Sequence, residues 1–171
     1  RGLLATVTDT LDRDITVEHD TAGRVTVVRD FAGREWRYAY YGANEPGGSA
    51  GDLKSVRSPV VTGTPTGNDF PQGRTRTYTY TKGFADDRLN HDLLTVTDGR
   101  RNDPGDPSFG AGPFVTNTYA ATQDPNDPLF DRVVKQAWGT GSSELTYVAQ
   151  APSPANGFAV AKAIINDRVG N

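Results

Sequence analysis

Cysteine and methionine are both absent from the 171 residues. Without cysteine there is no disulfide, no thiolate metal site and no cysteine nucleophile. The compartment stays open, because many large exported bacterial proteins also lack cysteine. Histidine is scarce: His19 and His91 are the only two, and Glu18, Glu35, Glu45 and Glu144 are the only glutamates. No run approaches the roughly 18 apolar residues of a membrane-spanning helix, and no signal-peptide pattern is visible. Basic residues do not cluster beyond Arg100-Arg101, and the formal net charge is −3, so no nucleic-acid partner is expected. Apolar residues make up 35%, short of the usual globular share of about 45–50%, so an ordinary core is not expected. With no methionine, Arg1 is not a translation start, and Asp167-Arg168-Val169-Gly170-Asn171 stops inside a turn pattern. Residues 1–171 are therefore expected to be part of a longer polypeptide, without an internal domain boundary.

What is abundant is glycine (19) and proline (11), together with seven Tyr, seven Phe and two Trp. That mixture favours many short strands joined by tight turns. Two turns repeat at an interval of ten: Asp20-Thr21-Ala22-Gly23-Arg24 and Asp30-Phe31-Ala32-Gly33-Arg34 both read D-x-A-G-R. In such a unit the Asp carboxylate accepts from the backbone ahead of it, and Gly supplies the positive φ that closes a hairpin. The segments between turns alternate with the period of a strand. In Glu35–Tyr40 the aromatics Trp36, Tyr38 and Tyr40 share one face, and Arg76–Tyr80 repeats the pattern. Strands are also expected over Gly2–Asp9, Ile15–His19, Gly51–Val56, Leu93–Asp98, Phe114–Tyr119, Arg132–Trp138, Glu144–Ala149 and Phe158–Asn166. Loops are expected at Gly42–Gly51, Gly63–Gly73, Gly99–Gly112 and Ala121–Pro128, as insertions between hairpins.

These units resemble the YD repeats of RHS proteins, of bacterial Tc-toxin B and C components and of animal teneurins, whose loose motif is G-x-x-x-R-Y-x-Y-D-x-x-G-R-L. Gly33-Arg34-Glu35-Trp36-Arg37-Tyr38-Ala39-Tyr40-Tyr41 fits the first half, and Gly51-Asp52-Leu53 fits the second after an insertion. Tyr41 stands where the family has Asp. Arg76-Thr77-Tyr78-Thr79-Tyr80 is a further copy, Leu94–Gly99 resembles a repeat end, and Gly83–Asp98 is similar to segments of bacterial RHS proteins. The resemblance implies an all-β array of antiparallel hairpins in a sheet that spirals into a hollow shell wall. It implies a secreted or cell-surface bacterial protein whose partners are the remainder of the same polypeptide and an enclosed, C-terminal toxin domain. An adhesive or glycan-binding fibre built from the same repeats is the alternative. The job implied is mechanical rather than enzymatic.

No residue is assigned to catalysis, to a cofactor or to a metal. His19 and His91 lack an evident nucleophile and orienting acid. The best acidic cluster for Ca²⁺ is Asp124, Asn126, Asp127 and Asp131, with Asp103 and Asp106 second, but neither has the spaced pattern of a calcium loop, and the neighbouring prolines make turns the simpler account. Asp103-Pro104-Gly105-Asp106-Pro107 only superficially resembles the D-P-x-G element at the self-cleavage site of RHS shells, with Gly in a different place, and reads as a loop. Trp36, Tyr38, Tyr40, Tyr78 and Tyr80 are assigned to structure. Tyr38→Ala is accordingly expected to cost roughly 3–5 kcal/mol in the assembled protein, as for a buried aromatic; unchanged thermal stability of the assembly would contradict this.

Overall fold

The computed structural model describes residues 2–102 and 110–167. Eleven strands follow one another, each pairing with its sequence neighbour in a single sheet ordered β1 to β11. They are β1 (Thr6–Thr8), β2 (Asp14–His19), β3 (Val25–Arg29), β4 (Glu35–Tyr40), β5 (Leu53–Arg57), β6 (Thr75–Tyr80), β7 (Leu93–Thr97), β8 (Val115–Tyr119), β9 (Val133–Trp138), β10 (Gly141–Ala149) and β11 (Ala161–Asn166). All ten pairings are antiparallel, so the all-β hairpin array expected from the sequence is present. Three strand starts differ by three residues or more, and the other boundaries by at most two. β1 is shorter than Gly2–Asp9. β10 begins at Gly141 rather than Glu144, because Gly139 at φ +55° reverses the chain at once. β11 begins at Ala161 rather than Phe158, because Phe158 holds φ +61° after a 3₁₀ turn at Pro154–Asn156. The loop at Asp103–Pro107 and the final turn from Arg168 onward lie outside the described residues.

Residues directly opposite in a ladder send their side chains to the same face. On one face Val17, Val28 and Trp36 line up across β2–β4, Tyr38 meets Val56, and Tyr78, Val96, Val115 and Trp138 line up across β6–β9. Leu145 and Ile165 continue this apolar row at the far edge. The opposite face is made of threonine and charge. Thr79, Thr95 and Thr116 align there, with a 2.6 Å bond between the hydroxyls of Thr79 and Thr95. Arg29 lies 2.6 Å from Glu35 and 3.4 Å from Glu18, and Arg37 also pairs with Glu35.

No strand approaches any strand except its ladder neighbours, so the sheet is one layer deep. The chain exposes 11217 Å², where a compact monomer of 18.4 kDa would expose about 8,200 Å². Among the described residues Val27, Tyr41 and Leu89 are the buried apolar side chains. Tyr38 is only half-buried, so the full cost expected for Tyr38→Ala applies only where something covers this face.

The repeat is clearer in geometry than in sequence. A β-bulge recurs at the second residue of every other strand: Thr26, Lys54, Leu94 and Val134 are the extra residues, and His19, Tyr40, Tyr80 and Tyr119 sit opposite. A tyrosine hydroxyl then reaches back to the first carbonyl of the preceding strand. Tyr40 donates to Val25 (2.8 Å), Tyr80 to Leu53 (3.0 Å), Tyr119 to Leu93 (3.1 Å) and Tyr147 to Val133 (2.8 Å). Each first carbonyl belongs to the residue paired with the bulge aromatic or His19 of the unit before. Successive bulges are thus tied into one relay.

Each bulged strand is entered through a left-handed residue two positions earlier: Gly23 (φ +80°), Gly51 (φ +96°), His91 (φ +70°) and Asp131 (φ +55°). The closing bonds match: the nitrogens of Asp20, Tyr41, Thr81 and Ala120 donate to the carbonyls of Arg24, Asp52, Asp92 and Arg132. At the other end of the sheet, Asp9–Arg13 reproduces the two D-x-A-G-R turns bond for bond, with Asp12 (φ +56°) in the glycine position. Tyr41 fills the β4–β5 loop. Its ring meets Tyr80 edge-on at 6.4 Å and its hydroxyl donates to the Tyr78 carbonyl at 2.7 Å. Gly47 and Gly48 pack against that ring: a Cβ at Gly47 would lie 2.8 Å from the Tyr41 oxygen, and one at Gly48 would collide with the ring itself.

Two measurements check this architecture. Gly48→Ala is expected to lower stability by about 1–3 kcal/mol through overpacking, whereas Gly67→Ala, with open space around it but φ +70°, should lose only about 1 kcal/mol. Tyr80→Phe, which removes one relay bond, should cost about 1 kcal/mol. Urea denaturation that ranked Gly48→Ala as the mildest of the three would contradict the loop packing.

Candidate functional site: the rim of stacked turns and the groove on the aromatic face

At the end of the sheet where the bulges lie, the residue after each left-handed position contacts the next unit. A Cβ on Gly51 would lie 3.4 Å from the Arg24 guanidinium. Asp52 Oδ1 lies 2.6 Å from His91 Nδ1, and the Asp92 carboxyl lies beside that of Asp131. Arg24 and Arg132 stack on the next tyrosine rings, at 4.7 Å over Tyr40 and 4.6 Å over Tyr147. The rim gathers the strongest electrostatic perturbations. Burial, with Asp52 adding negative charge, pushes the Tyr80 phenol up to about 12. Burial first, and then the neighbouring Asp131, pushes the Asp92 carboxyl up to about 6. The Asp52 hydrogen bond raises the His91 imidazole above its ordinary value.

The groove lies at the opposite end of the sheet, on the aromatic face. Trp36, Val56, Arg76 and Tyr78 form its floor, and the β5–β6 loop contributes Phe70 and Arg74 to a depression of about 510 Å³ that Arg34, Asp98 and Arg100 also line. Arg74 stacks over Phe70 at 4.7 Å. Arg34 is 2.6 Å from Asp30, and Arg76 is 3.5 Å from Asp98. A second depression, of about 560 Å³, lies on the same face around Trp138, Leu145, Tyr147 and Ile165.

The residues weighed from sequence fall into structural places. His19 takes the bulge position that tyrosines hold in later units, and His91 takes the glycine position of a turn. Asp124 and Asp127 spend carboxylate oxygens on the backbone nitrogens of Asn126 and Leu129, and Asp131 belongs to the rim. Among the described residues, no group of three or more His, Asp or Glu side chains is placed to hold a metal ion. Asp103 and Asp106 lie outside the described residues. Each glutamate faces a cation: Glu18 and Glu35 face Arg29, Glu45 faces Lys54 at 2.8 Å, and Glu144 faces Lys135 at 3.8 Å. The groove itself was missed from sequence. Its one signal was the recurrence of arginine beside aromatic residues, at Arg34/Trp36 and Arg76/Tyr78, which gains meaning only once the register sets those strands side by side. Among the described residues no helix is long and apolar enough to cross a membrane.

No family model matches the chain, and no curated protein matches it either.

The rim sets a pH dependence. A carboxyl whose folded pKa is raised binds its proton more tightly in the native state, so stability falls as pH rises from its unfolded value of 3.8 through about 6. A histidine with a raised folded pKa contributes stability below its unfolded value of 6.5 that is lost as pH climbs through the folded one. The carboxylates held down by arginine, such as Asp30 beside Arg34, act in the opposite sense, and only as pH falls below their ordinary range. Thermal midpoints are therefore expected to decline from pH 4.5 to pH 7.5. Asp92→Asn should flatten the lower part of that slope and His91→Gln the upper part. A wild-type midpoint that rose across this window would refute the assignment.

Proposed function

We propose that the chain is a wall segment of a YD-repeat β-shell, working mechanically by shielding an enclosed cargo behind a continuous layer of paired strands. The observation that carries this reading is the uncovered apolar row running the width of a one-layer sheet. A hairpin array with one apolar face gains stability only from neighbours and from whatever lies against that face. The relay of bulges and tyrosines supports the same reading, because a repeated bulge adds twist and bend at each unit in the same sense, as a wall that curves requires. The edges at β1 and β11 offer unpaired backbone for further strands, and in the assembled protein these come from the rest of the polypeptide. On this reading the protein is not an enzyme, is exported to the cell surface or beyond by a bacterium, and carries its toxin domain as the cargo. The half-buried Trp36 and Tyr78 at the groove keep one other reading in view, an adhesive fibre of the same repeats that binds glycans by stacking.

Imaging the native particle by electron microscopy tests the choice. A closed hollow shell with density inside is the expected result; an open filament with glycan-array hits would move the function to adhesion. The isolated 171-residue chain should also bind an apolar dye such as ANS strongly and self-associate at micromolar concentration. A monomer that leaves the dye dark would remove the observation on which the reading rests.

A further inference from the structure

Among the described residues the buried polar side chains are Asn117 and Ser143, 8% and 6% exposed. Both belong to one row on the aromatic face. Asn117 lies opposite Gln136, and Gln136 opposite Ser143, across β8, β9 and β10, so the three side chains stand side by side. One end of the row is satisfied. The Asn117 amide donates to the Leu93 carbonyl at 2.8 Å, and the Gln136 amide donates to Asn117 Oδ1 at 2.8 Å. The other end is open. Among the described residues no donor meets Gln136 Oε1 and no partner meets the Ser143 hydroxyl. A hydroxyl kept from water without a partner costs free energy, and an apolar residue of the same shape would not. Gln136 and Ser143 both line the depression of about 560 Å³, whose apolar surface comes from Trp138, Leu145, Tyr147 and Ile165. Its charged lining residues are Asp131 and Arg132, one of each sign, and Arg132 lies stacked over the Tyr147 ring.

We propose that this depression binds a neutral sugar, with a ring against Trp138 and neighbouring hydroxyls on Gln136 and Ser143. Each sugar hydroxyl both donates and accepts, and so does the combination of an amide and a hydroxyl set side by side. The C–H face of the ring covers the indole, and Leu145 and Ile165 continue that apolar surface. With opposite charges balanced in the lining, nothing selects an anion or a cation. An apolar side chain would cover Trp138 but leave Gln136 and Ser143 unpaired. An extended peptide adds through its backbone at a sheet edge, whereas β8, β9 and β10 are each paired on both sides. The volume falls within the range of about 300–1,000 Å³ typical of small ligand sites. This site goes beyond the shell reading and does not depend on it, because the row belongs to the sheet in a shell and in a fibre alike. It is also separate from the stacking at Trp36 and Tyr78 that the fibre reading invokes.

Trp36 and Trp138 are the two tryptophans of the chain. Trp36→Phe therefore makes indole fluorescence report on Trp138 alone, and Trp138→Phe makes it report on Trp36. Each variant, as the full chain at submicromolar concentration, is titrated with maltotriose, mannotriose, galactotriose and chitotriose. At least one of these sugars is expected to shift Trp138 emission saturably, with a Kd of about 1 mM or tighter, and none should shift Trp36 emission. The response should hold between 50 and 300 mM NaCl, and trigalacturonate should bind no more tightly than galactotriose. Ser143→Ala, added to Trp36→Phe, should weaken binding at least fivefold while the thermal midpoint stays level or rises, because that hydroxyl has no partner to lose. Lys135→Gln, on the threonine face, should leave binding unchanged. No saturable response to any of the four sugars would overturn the assignment. So would a Trp36 response equal to that of Trp138, equal binding of a neutral Ser/Leu octapeptide, or full affinity in Ser143→Ala. If Ser143→Ala fails to fold, the comparison of the two tryptophan variants still decides. None of these outcomes alters what electron imaging reports about a shell.

Discussion

The hydrogen bond from a tyrosine hydroxyl to the first carbonyl of the preceding strand organises this sheet. It recurs through Tyr40, Tyr80, Tyr119 and Tyr147, and the first three of these tyrosines sit opposite a bulge. A bulge turns a carbonyl out of the regular ladder, and a half-buried carbonyl without a partner costs free energy. The tyrosine meets that need and lays its ring across the strand junction as well. Register is held too, since slipping a strand by one residue would send the ring to the threonine face and leave the carbonyl open. Unit length is then free to vary, because the relay constrains only the strand entry. The β2–β3 connection is a tight turn from Asp20 to Arg24, whereas β4–β5 and β6–β7 hold long loops built around Tyr41 and Leu89.

Because the relay holds strands together edge to edge, the sheet needs no second layer to set its pairing. What it lacks is cover. Two faces of such different character, one of Trp, Tyr and Val, the other of Thr, Arg and Glu, fit a layer that separates two environments. Isolated hairpins are marginal, and the enthalpy of the threonine-face ion pairs is small in water. The stability of this layer must therefore come from neighbour contacts summed over many units. The same reasoning explains the weak core composition seen in the sequence: a sheet one layer deep does not enclose its own apolar volume.

The strands and both D-x-A-G-R turns were legible from alternation and turn chemistry, because those signals are local. The third such turn was hidden: Asp12 stands in the glycine position of Asp9–Arg13, and only its φ of +56° reveals it. His91 and Asp131 were hidden in the same way. Read as residues, they suggested chemistry or calcium; read as backbone, they occupy the left-handed site that Gly23 and Gly51 fill in the earlier units. Asp and Asn tolerate that conformation better than most residues, which makes Asp131 an intelligible substitute, while His91 gains a hydrogen bond with Asp52 in return. The groove left only the recurrence of arginine beside aromatic residues as a signal, because Arg34, Phe70, Arg76 and Asp98 come from separate units and the long β5–β6 loop supplies the aromatic wall.

That contrast separates structure from recognition. Rim contacts recur from unit to unit: Arg24 on Gly51, Asp52 on His91, Asp92 on Asp131. A feature that recurs at each joint is explained by the joint. The perturbed Asp92 and Tyr80 follow from burial at these joints, so a shifted ionisation there is no mark of catalysis. The hairpin turn at Asp30–Arg34 is too short to rise over the sheet, and the β9–β10 turn is shorter still. Between β5 and β6 a loop, held by the Val61–Phe70 bridge, brings an aromatic ring and a stacked arginine beside the floor of Trp36 and Tyr78. In a repeat array, an element that breaks the repetition is one whose form the sheet itself does not demand.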